Sequence, residues 1–327
     1  MPKKFTVAVV QDSSVVFDRK KTVEKIARLT AEASKTGAKL VLFPEAFVSG
    51  YPTGLDFGAR MGSRSPEGME DFRRYHESAL DLAGPDSAAI GAAARENGLH
   101  LVVGVIERDG GTLYCTACFW GPDGQLIGKH RKLMPTAMER LVWGYGDGST
   151  LTVADTPLGR LGAVICWENY MPLLRTAMYS KGVQIYLAPT ADSRDTWLPT
   201  MQHVAREGGC FVLSTCQYLT RGDCPEDYNA FQGDDPETVL MRGGSSIVSP
   251  TGEILAGPNF EGPAILSAEI DLDEIVRAKY AFDVVGHYAR PDVFRLHVNG
   301  RPAPPVVHTA GAPWEADPDG EDQGERG

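Results

Sequence analysis

Residues 161–187 read LGAVICWENYMPLLRTAMYSKGVQIYL, and the order of apolar and polar residues in this stretch indicates the fold class. The apolar run at 161–166 predicts a buried strand, and the segment near 172–181 predicts a helix. A second apolar run at 183–187 predicts another strand. Strand, helix and strand in this order are typical of the β-α-β units that build parallel sheets.

The same alternation extends through the rest of the chain. A hairpin is expected where the apolar runs 113–120 and 125–128 flank the turn sequence GPDG. Apolar strands that alternate with helices, together with a hairpin, indicate the α/β class with mixed sheets covered by helices. The other predicted strands lie at 5–11, 40–43, 101–106, 210–216, 245–249 and 264–270, and the other predicted helices lie at 23–37, 86–97 and 196–207.

No linker divides the chain before residue 300, so we predict one domain over residues 1–300. From Arg301 the composition changes to proline and acidic residues, which predicts a disordered tail over 301–327. The Gly-rich loop at 49–68 is longer than a compact domain needs, and so is the acidic insertion at 222–237. We expect these two segments to serve function or assembly.

Composition and charge exclude several classes of protein. The 327 residues are 43% hydrophobic and carry a formal net charge of -11, with no basic stripe for nucleic acid. No apolar stretch approaches the roughly 20 residues that span a bilayer, and we expect a cytoplasmic protein without a membrane partner. Six cysteines lie mostly in apolar runs, which favours reduced thiols over a disulfide framework: Cys115, Cys118, Cys166, Cys210, Cys216 and Cys224.

Common metal and nucleotide motifs are absent from the sequence. It contains no HExxH, no Gly-x-Ser-x-Gly, no Gly-x-Gly-x-x-Gly after a strand and no paired CxxC. The segment 124–130 resembles a P-loop only in part, because its glycine spacing is wrong. Cys115 and Cys118 have dithiol spacing, but in a strand positions three apart point to opposite faces. We therefore expect neither a metal nor an organic cofactor.

Three residues could together carry nucleophilic chemistry. Cys166 ends an apolar strand, Glu45 follows another, and Lys132 belongs to the basic run at 129–132. Taken singly they also fit a small buried hydrophobe, a loop acid and a solvated turn, and Cys216 ends a strand in the same way as Cys166. Together a thiol, a carboxylate and an ammonium supply nucleophile, proton acceptor and charge stabiliser.

Four longer segments surround these residues. They read FPEAF at 43–47 with GYP at 50–52, HRKL at 130–133 with ER at 139–140 and GYGDG at 144–148, CWENYMPL at 166–173, and GHYARPD at 286–292. In this order they resemble the nitrilase superfamily, and specifically its true nitrilase branch. The resemblance covers roughly residues 5–298.

The resemblance implies a role for each matching residue. It implies that Glu45 is the general base, Lys132 the proton donor and charge stabiliser, Cys166 the nucleophile and Glu139 a supporting second glutamate. It also implies an α-β-β-α sandwich that pairs into homodimers, which in this family often extend into spirals or filaments. Cys166 is therefore favoured over Cys216 as the nucleophile.

The implied reaction is hydrolysis of a small organic nitrile to the carboxylic acid and ammonia through a Cys thioimidate and thioester. We expect Tyr51 and Trp167 to line the substrate pocket, whose volume would depend on the loops at 49–78 and 189–200. Alternatives within the superfamily are an amidase or carbamoylase, and a nitrile or cyanide hydratase that stops at the amide. A thiol acyltransferase and a catalytically silent binding protein are alternatives outside hydrolysis.

Overall fold

Two six-stranded mixed sheets form the centre of the protein. The computed structural model describes residues 3–304, 306 and 307. The predicted disorder of the tail falls mostly on residues outside this range. Within the described residues, no helix is long and apolar enough to cross a membrane.

The elements follow one another along the chain as alternating strands and helices, with short 3₁₀ helices at 137–141, 148–150, 166–170 and 221–223. The helices are α1 (Arg19–Ser34), α2 (Pro66–Ser78), α3 (Pro85–Asn97), α4 (Pro172–Ser180), α5 (Trp197–Gly208) and α6 (Asp273–Ala281). The strands are β1 (Lys4–Gln11), β2 (Ala38–Leu42), β3 (Ala59–Arg60), β4 (Ser63–Arg64), β5 (His100–Asp109), β6 (Thr112–Trp120), β7 (Leu126–Arg131), β8 (Val153–Thr156), β9 (Gly159–Ala163), β10 (Ile185–Thr190), β11 (Phe211–Cys216), β12 (Tyr218–Thr220), β13 (Val239–Arg242), β14 (Ser245–Val248), β15 (Ile254–Asn259) and β16 (Ala264–Asp271).

The two large sheets share one plan. The first has the order β16-β1-β2-β5-β6-β7 and the second the order β15-β14-β11-β10-β9-β8. In each sheet three central strands are parallel, namely β1, β2 and β5 or β9, β10 and β11, and the flanking strands are antiparallel. The parallel centre places the carboxyl ends of three strands at one edge of each sheet.

Alternation along the strands builds the layers. In β1, Val7 and Val9 point into the core between the two sheets, whereas Ala8 and Val10 point outward. Helices α1 and α3 cover the outer face of the first sheet, and α4 and α5 cover that of the second. The result is the α-β-β-α sandwich, which confirms the predicted fold class.

Several elements differ from the sequence expectations. The segment 49–68 is a loop only in part, because it contains the short pair β3 and β4 and the start of α2. Ser65 caps α2 by accepting a hydrogen bond from the Gly68 amide, a capping signal that was missed in the sequence. The strand expected at 161–166 ends at Ala163.

Candidate active site

Cys166 lies at a sharp turn between β9 and the 3₁₀ helix 166–170. Its φ of 52° is in the left-handed region, which costs a residue with a side chain about 1 to 3 kcal/mol. The side-chain amide of Asn169 stabilises the turn. Its Nδ2 donates to the Cys166 carbonyl at 2.8 Å and to the Val164 carbonyl at 3.0 Å. The turn directs the thiol into the space between the sheets, where Thr190 Oγ1 lies 3.2 Å from Sγ.

Glu45 follows β2 at the carboxyl edge of the first sheet, and its side chain is fully buried. The next residue, Ala46, has a φ of 50°, so the chain turns sharply directly after the carboxylate. Gln217, which follows β11 of the second sheet, donates to the Glu45 carbonyl at 3.0 Å. Both sheets therefore hold the backbone of Glu45.

Lys132 directly follows β7 and is also fully buried. Its ammonium donates to Glu45 Oε1 and to Glu139 Oε2, each at 2.7 Å. Its backbone is fixed on both sides, because its amide donates to the Cys115 carbonyl and its carbonyl accepts from the Gly146 amide. The charge of Lys132 is therefore shared between two carboxylates.

Glu139 lies in the 3₁₀ helix 137–141 and completes this cluster. Besides the Lys132 ammonium, its carboxylate accepts the Thr136 amide at 2.6 Å and the Tyr51 hydroxyl at 2.8 Å. The structure thus brings the Glu45 and Glu139 carboxylates into contact with the same Lys132 ammonium.

The two aromatic residues predicted for the pocket line one cavity of about 250 Å³, and Cys166 and Glu139 line the same cavity. Tyr51 lies on one wall. Trp167 lies on another, where its indole nitrogen donates to Asp192 at 2.9 Å and the Arg194 guanidinium lies over its ring. Residues 191–194 contribute to the lining, in agreement with the expected loop at 189–200.

Four further residues contact the site and were not predicted from the sequence. Thr190 and Asp192 could have been found, because β10 is the parallel neighbour of β9 and its carboxyl end must lie beside Cys166. Arg194 and Cys115 carry no such signal. Cys115 lies on β6 of the first sheet and points between the sheets, with its thiol 3.5 Å from Glu45 Oε1.

Burial dominates the electrostatics of the cluster. Burial raises the pKa of the Cys166 thiol, the negative charge of Glu45 raises it further, and Lys132 opposes both. Burial also raises the pKa of Glu45, although the Lys132 ammonium counteracts it. Burial disfavours the Lys132 charge, yet the nearby carboxylates, first that of Glu45, hold its pKa well above the ordinary value. Burial therefore disfavours the Cys166 thiolate, while the carboxylates favour the charged form of Lys132.

The remaining cysteines differ in their surroundings. Cys216 packs among Val16, Leu219 and Tyr228 in an apolar cluster. Cys115 and Cys118 point to opposite faces of β6, which confirms the expectation for that strand. All six cysteines are free, and the described residues contain no group of three or more His, Cys, Asp or Glu side chains that could hold a metal ion.

A buried thiol, carboxylate and ammonium between the sheets of an α-β-β-α sandwich define the class of thiol hydrolases that act on carbon-nitrogen bonds. Consistent with this class, the model of the carbon-nitrogen hydrolase family matches residues 6–280. The chain belongs to this family, which confirms the resemblance found in the sequence.

Similar proteins extend this result. A nitrilase of Bradyrhizobium diazoefficiens is 59% identical over 92% of this chain and 94% of its own length. A bifunctional nitrilase/nitrile hydratase of Lupinus angustifolius is 55% identical over 92% of this chain and 88% of its own. The crystal structure of a carbon-nitrogen hydrolase from Helicobacter pylori G27 shares the fold, with a TM-score of 0.70 at 23% identity over 89% of this chain and 97% of that one.

Proposed function

We propose that this chain is a nitrilase, which hydrolyses a small organic nitrile to the carboxylic acid and ammonia with Cys166 as nucleophile. The observation that carries the proposal is that Cys166 and Glu139 line one cavity, while the Lys132 ammonium beside it binds both Glu139 and Glu45. Relatives that are more than half identical over nine-tenths of the chain bear the nitrilase name.

The first step joins sulfur to the nitrile carbon. Cys166 is a neutral thiol at rest, so its proton must leave as the S–C bond forms, and Glu45 accepts it. Negative charge develops on the nitrile nitrogen, and Lys132 donates a proton to it, which gives a neutral thioimidate. Glu45 then returns its proton to Lys132 along the 2.7 Å hydrogen bond between them.

Two water molecules complete the cycle. Glu45 removes a proton from the first water, which adds to the thioimidate carbon, while Lys132 protonates the nitrogen. The hydroxyl proton of the tetrahedral intermediate moves to the nitrogen, ammonia leaves and a thioester remains. Glu45 then returns its proton to Lys132, as in the first step. A second water, again deprotonated by Glu45, releases the acid, and the Cys166 sulfur recovers its proton. Every proton moves between groups of this chain, water and substrate, so we propose that the reaction requires no cofactor.

Glu139 supports Lys132 in this scheme. Its carboxylate is held by Thr136 and Tyr51, so it keeps the ammonium oriented and charged between proton transfers. Tyr51 and Trp167 would confine the substituent of the nitrile, since both line the cavity beside Cys166.

A second outcome is release of the amide. If the C–S bond of the tetrahedral intermediate breaks before the C–N bond, the product is the amide and Cys166 is freed without a thioester. The lupin relative bears the name of a bifunctional nitrilase/nitrile hydratase, which favours testing for this product. Amidase or carbamoylase activity is the alternative that the same three residues could also support.

We further propose a cytoplasmic location, because six free and buried thiols suit a reducing compartment. The proposed partner is the substrate alone, apart from further copies of this chain, because a net charge of -11 disfavours nucleic acid.

The proposed activity is tested with a panel of aliphatic, aryl and arylaceto nitriles and the matching amides. We expect ammonia and acid from at least one nitrile class, and Cys166→Ser should lower this rate by about 10³-fold or more. Cys216→Ser is the matched control, because its side chain lies in an apolar cluster, and it should retain most of the activity. Turnover of amides alone, or equal loss in both variants, contradicts the proposal.

A further inference from the structure

Glu168 is a second buried glutamate beside Cys166 that the proposed reaction does not use. Only 1% of the residue is exposed. Its carboxylate accepts three hydrogen bonds: from the Leu133 amide at 2.6 Å, from the Ile165 amide at 2.9 Å and from His130 Nε2 at 3.0 Å. A carboxylate with this many donors is fixed in position and orientation.

The two amides belong to the neighbours of the reacting residues. Leu133 directly follows Lys132, and Ile165 directly precedes Cys166. Lys132 enters from β7 of the first sheet, whereas Cys166 enters from β9 of the second. One carboxylate therefore joins the backbone beside the ammonium to the backbone beside the nucleophile, across the gap between the sheets.

The positive charge of His130 stabilises the buried Glu168 carboxylate. Its Nδ1 faces the Thr150 carbonyl at 3.0 Å and its Nε2 faces Glu168, and both of these oxygens act as acceptors. Both ring nitrogens therefore donate, and the ring is an imidazolium paired with a carboxylate. Lys181, at the end of α4, also acts on the ring and opposes the imidazolium charge, so it lowers the pKa of His130.

We propose that the Glu168 and His130 pair is a positioning device that fixes the separation of Lys132 and Cys166. The proposal rests on the roles assigned to Lys132 and Cys166 above. Among the described residues, the Glu168 carboxylate accepts from His130 and from the backbone amides beside Lys132 and Cys166, so it acts through these residues and not on the substrate.

Glu168→Gln tests this geometry because an amide has one accepting oxygen and one donating nitrogen. If the oxygen accepts from Leu133, the nitrogen faces the Ile165 amide; if it is turned, the nitrogen faces the Leu133 amide. Either orientation releases one of the two backbone segments. We expect kcat to fall by about 100-fold while KM changes little, because misplacement of a reacting group affects the chemical step.

A second measurement separates positioning from a general loss of stability. Iodoacetamide labelling of Cys166, followed by mass spectrometry of its peptide over a range of pH, reports how strongly Lys132 favours the thiolate. In Glu168→Gln we expect the labelling profile to move to higher pH by about one unit, because the ammonium is farther from the sulfur. Labelling needs no nitrile, so this result is independent of the proposed activity.

Glu107→Gln is the matched control. Glu107 is also buried, 3% exposed, and pairs with Lys129 and Arg131 of β7, but its carboxylate accepts only from side chains. We expect this variant to lose stability without moving the labelling profile. If Glu168→Gln does not fold, His130→Gln, which leaves the carboxylate in place without its counter-ion, is measured in the same way. An unchanged kcat, or a lower kcat with an unmoved profile, overturns the proposal.

Discussion

Glu45 and Glu139 both bind the Lys132 ammonium, but their second oxygens differ. Both carboxylate oxygens of Glu139 accept hydrogen bonds, Oε1 from the Tyr51 hydroxyl and Oε2 from the Lys132 ammonium and the Thr136 amide. By contrast, Glu45 Oε2 is buried and has no hydrogen-bond partner within residues 3–304. A buried carboxylate oxygen without a donor is costly and is available to take a proton. This difference supports the proposed roles, with Glu45 as the base and Glu139 as the residue that supports Lys132.

The catalytic steps in which Lys132 and Glu45 act can be separated by substituting each residue. Lys132→Ala should block formation of the covalent adduct, because no group protonates the nitrile nitrogen. Glu45→Gln should add nitrile slowly at raised pH, where Cys166 ionises without help, and then accumulate the adduct because no base activates water. Intact-protein mass spectrometry after mixing with substrate measures both. An adduct on Lys132→Ala, or normal turnover by Glu45→Gln, would show that the roles are wrong.

The pH dependence follows from the burial of Glu45. Burial raises its pKa above the ordinary value of 4.5, although Lys132 counteracts this. The reaction needs the carboxylate, so kcat/KM should fall as the pH drops through the raised pKa, above 4.5. Lys132, with its raised pKa, should not limit the rate below pH 10.5. Initial rates from pH 4 upward, with circular dichroism as the control for folding, test this; an acid limb at or below the ordinary glutamate value contradicts it.

At the scale of elements, the approach of the Glu45 segment to β5 depends on Gly104. A Cβ at Gly104 would overlap the Pro44 carbonyl oxygen and lie 2.7 Å from the Glu45 Cα. The same glycine carbonyl accepts the amides of Phe47 and Val48, which closes the turn after Glu45. Neither side can move without breaking these hydrogen bonds.

Gly104→Ala should therefore move Glu45 away from Lys132. We expect a stability loss of about 1 to 3 kcal/mol, as for other overpacked sites, and a drop in kcat of about 100-fold. Gly111→Ala, at the turn between β5 and β6 with nothing within 4 Å of the added Cβ, is the control. Chemical denaturation and steady-state rates measure both variants. If Gly104→Ala keeps the wild-type kcat, the Glu45 segment can shift without loss of catalysis, which contradicts the prediction.

Some of the strands could be predicted from the sequence and others could not. The parallel strands around 161–187 and 210–216 were predicted because they are long apolar runs that pair in order. The short pairs β3–β4 and β12–β13 were missed, because pairing between distant or very short segments leaves little apolar pattern. Cys166 was predicted to be the last residue of a strand, but that strand ends at Ala163. Cys166 lies in a turn with a left-handed backbone, which the side chains of Asn169 and Glu168 stabilise.

At the scale of the whole molecule, the site depends on the packing of two sheets. Glu45 and Lys132 come from the first sheet, whereas Cys166 and Thr190 come from the second. The sequence identified Glu45, Lys132 and Cys166 through motifs that surround each one. It did not reveal Cys115, whose contact with Glu45 exists only when β6 and β2 take their places in the folded sheet.

Two segments of the chain are candidates for contacts between copies of the protein. The loop 49–68 and the insertion 222–237, which the sequence analysis selected for their length, each expose a large apolar side chain. These are Met61, fully exposed, and Phe231, 84% exposed. Segments of this length usually serve function or assembly, and we expect another copy of the chain to cover these two side chains.

We predict a homodimer or larger homo-oligomer, with Met61 and Phe231 at contacts between copies. Multi-angle light scattering should give a mass at least twice 35.4 kDa, and the double variant Met61→Glu/Phe231→Glu should shift it toward the monomer as the protein is diluted. Tyr280→Glu is the control, because Tyr280 is equally exposed but lies on α6, outside both segments. A wild-type chain that stays at 35.4 kDa and active at every concentration rules the assembly out. An unchanged mass in the double variant would instead place the contacts elsewhere, since two new charges in an apolar contact must weaken it.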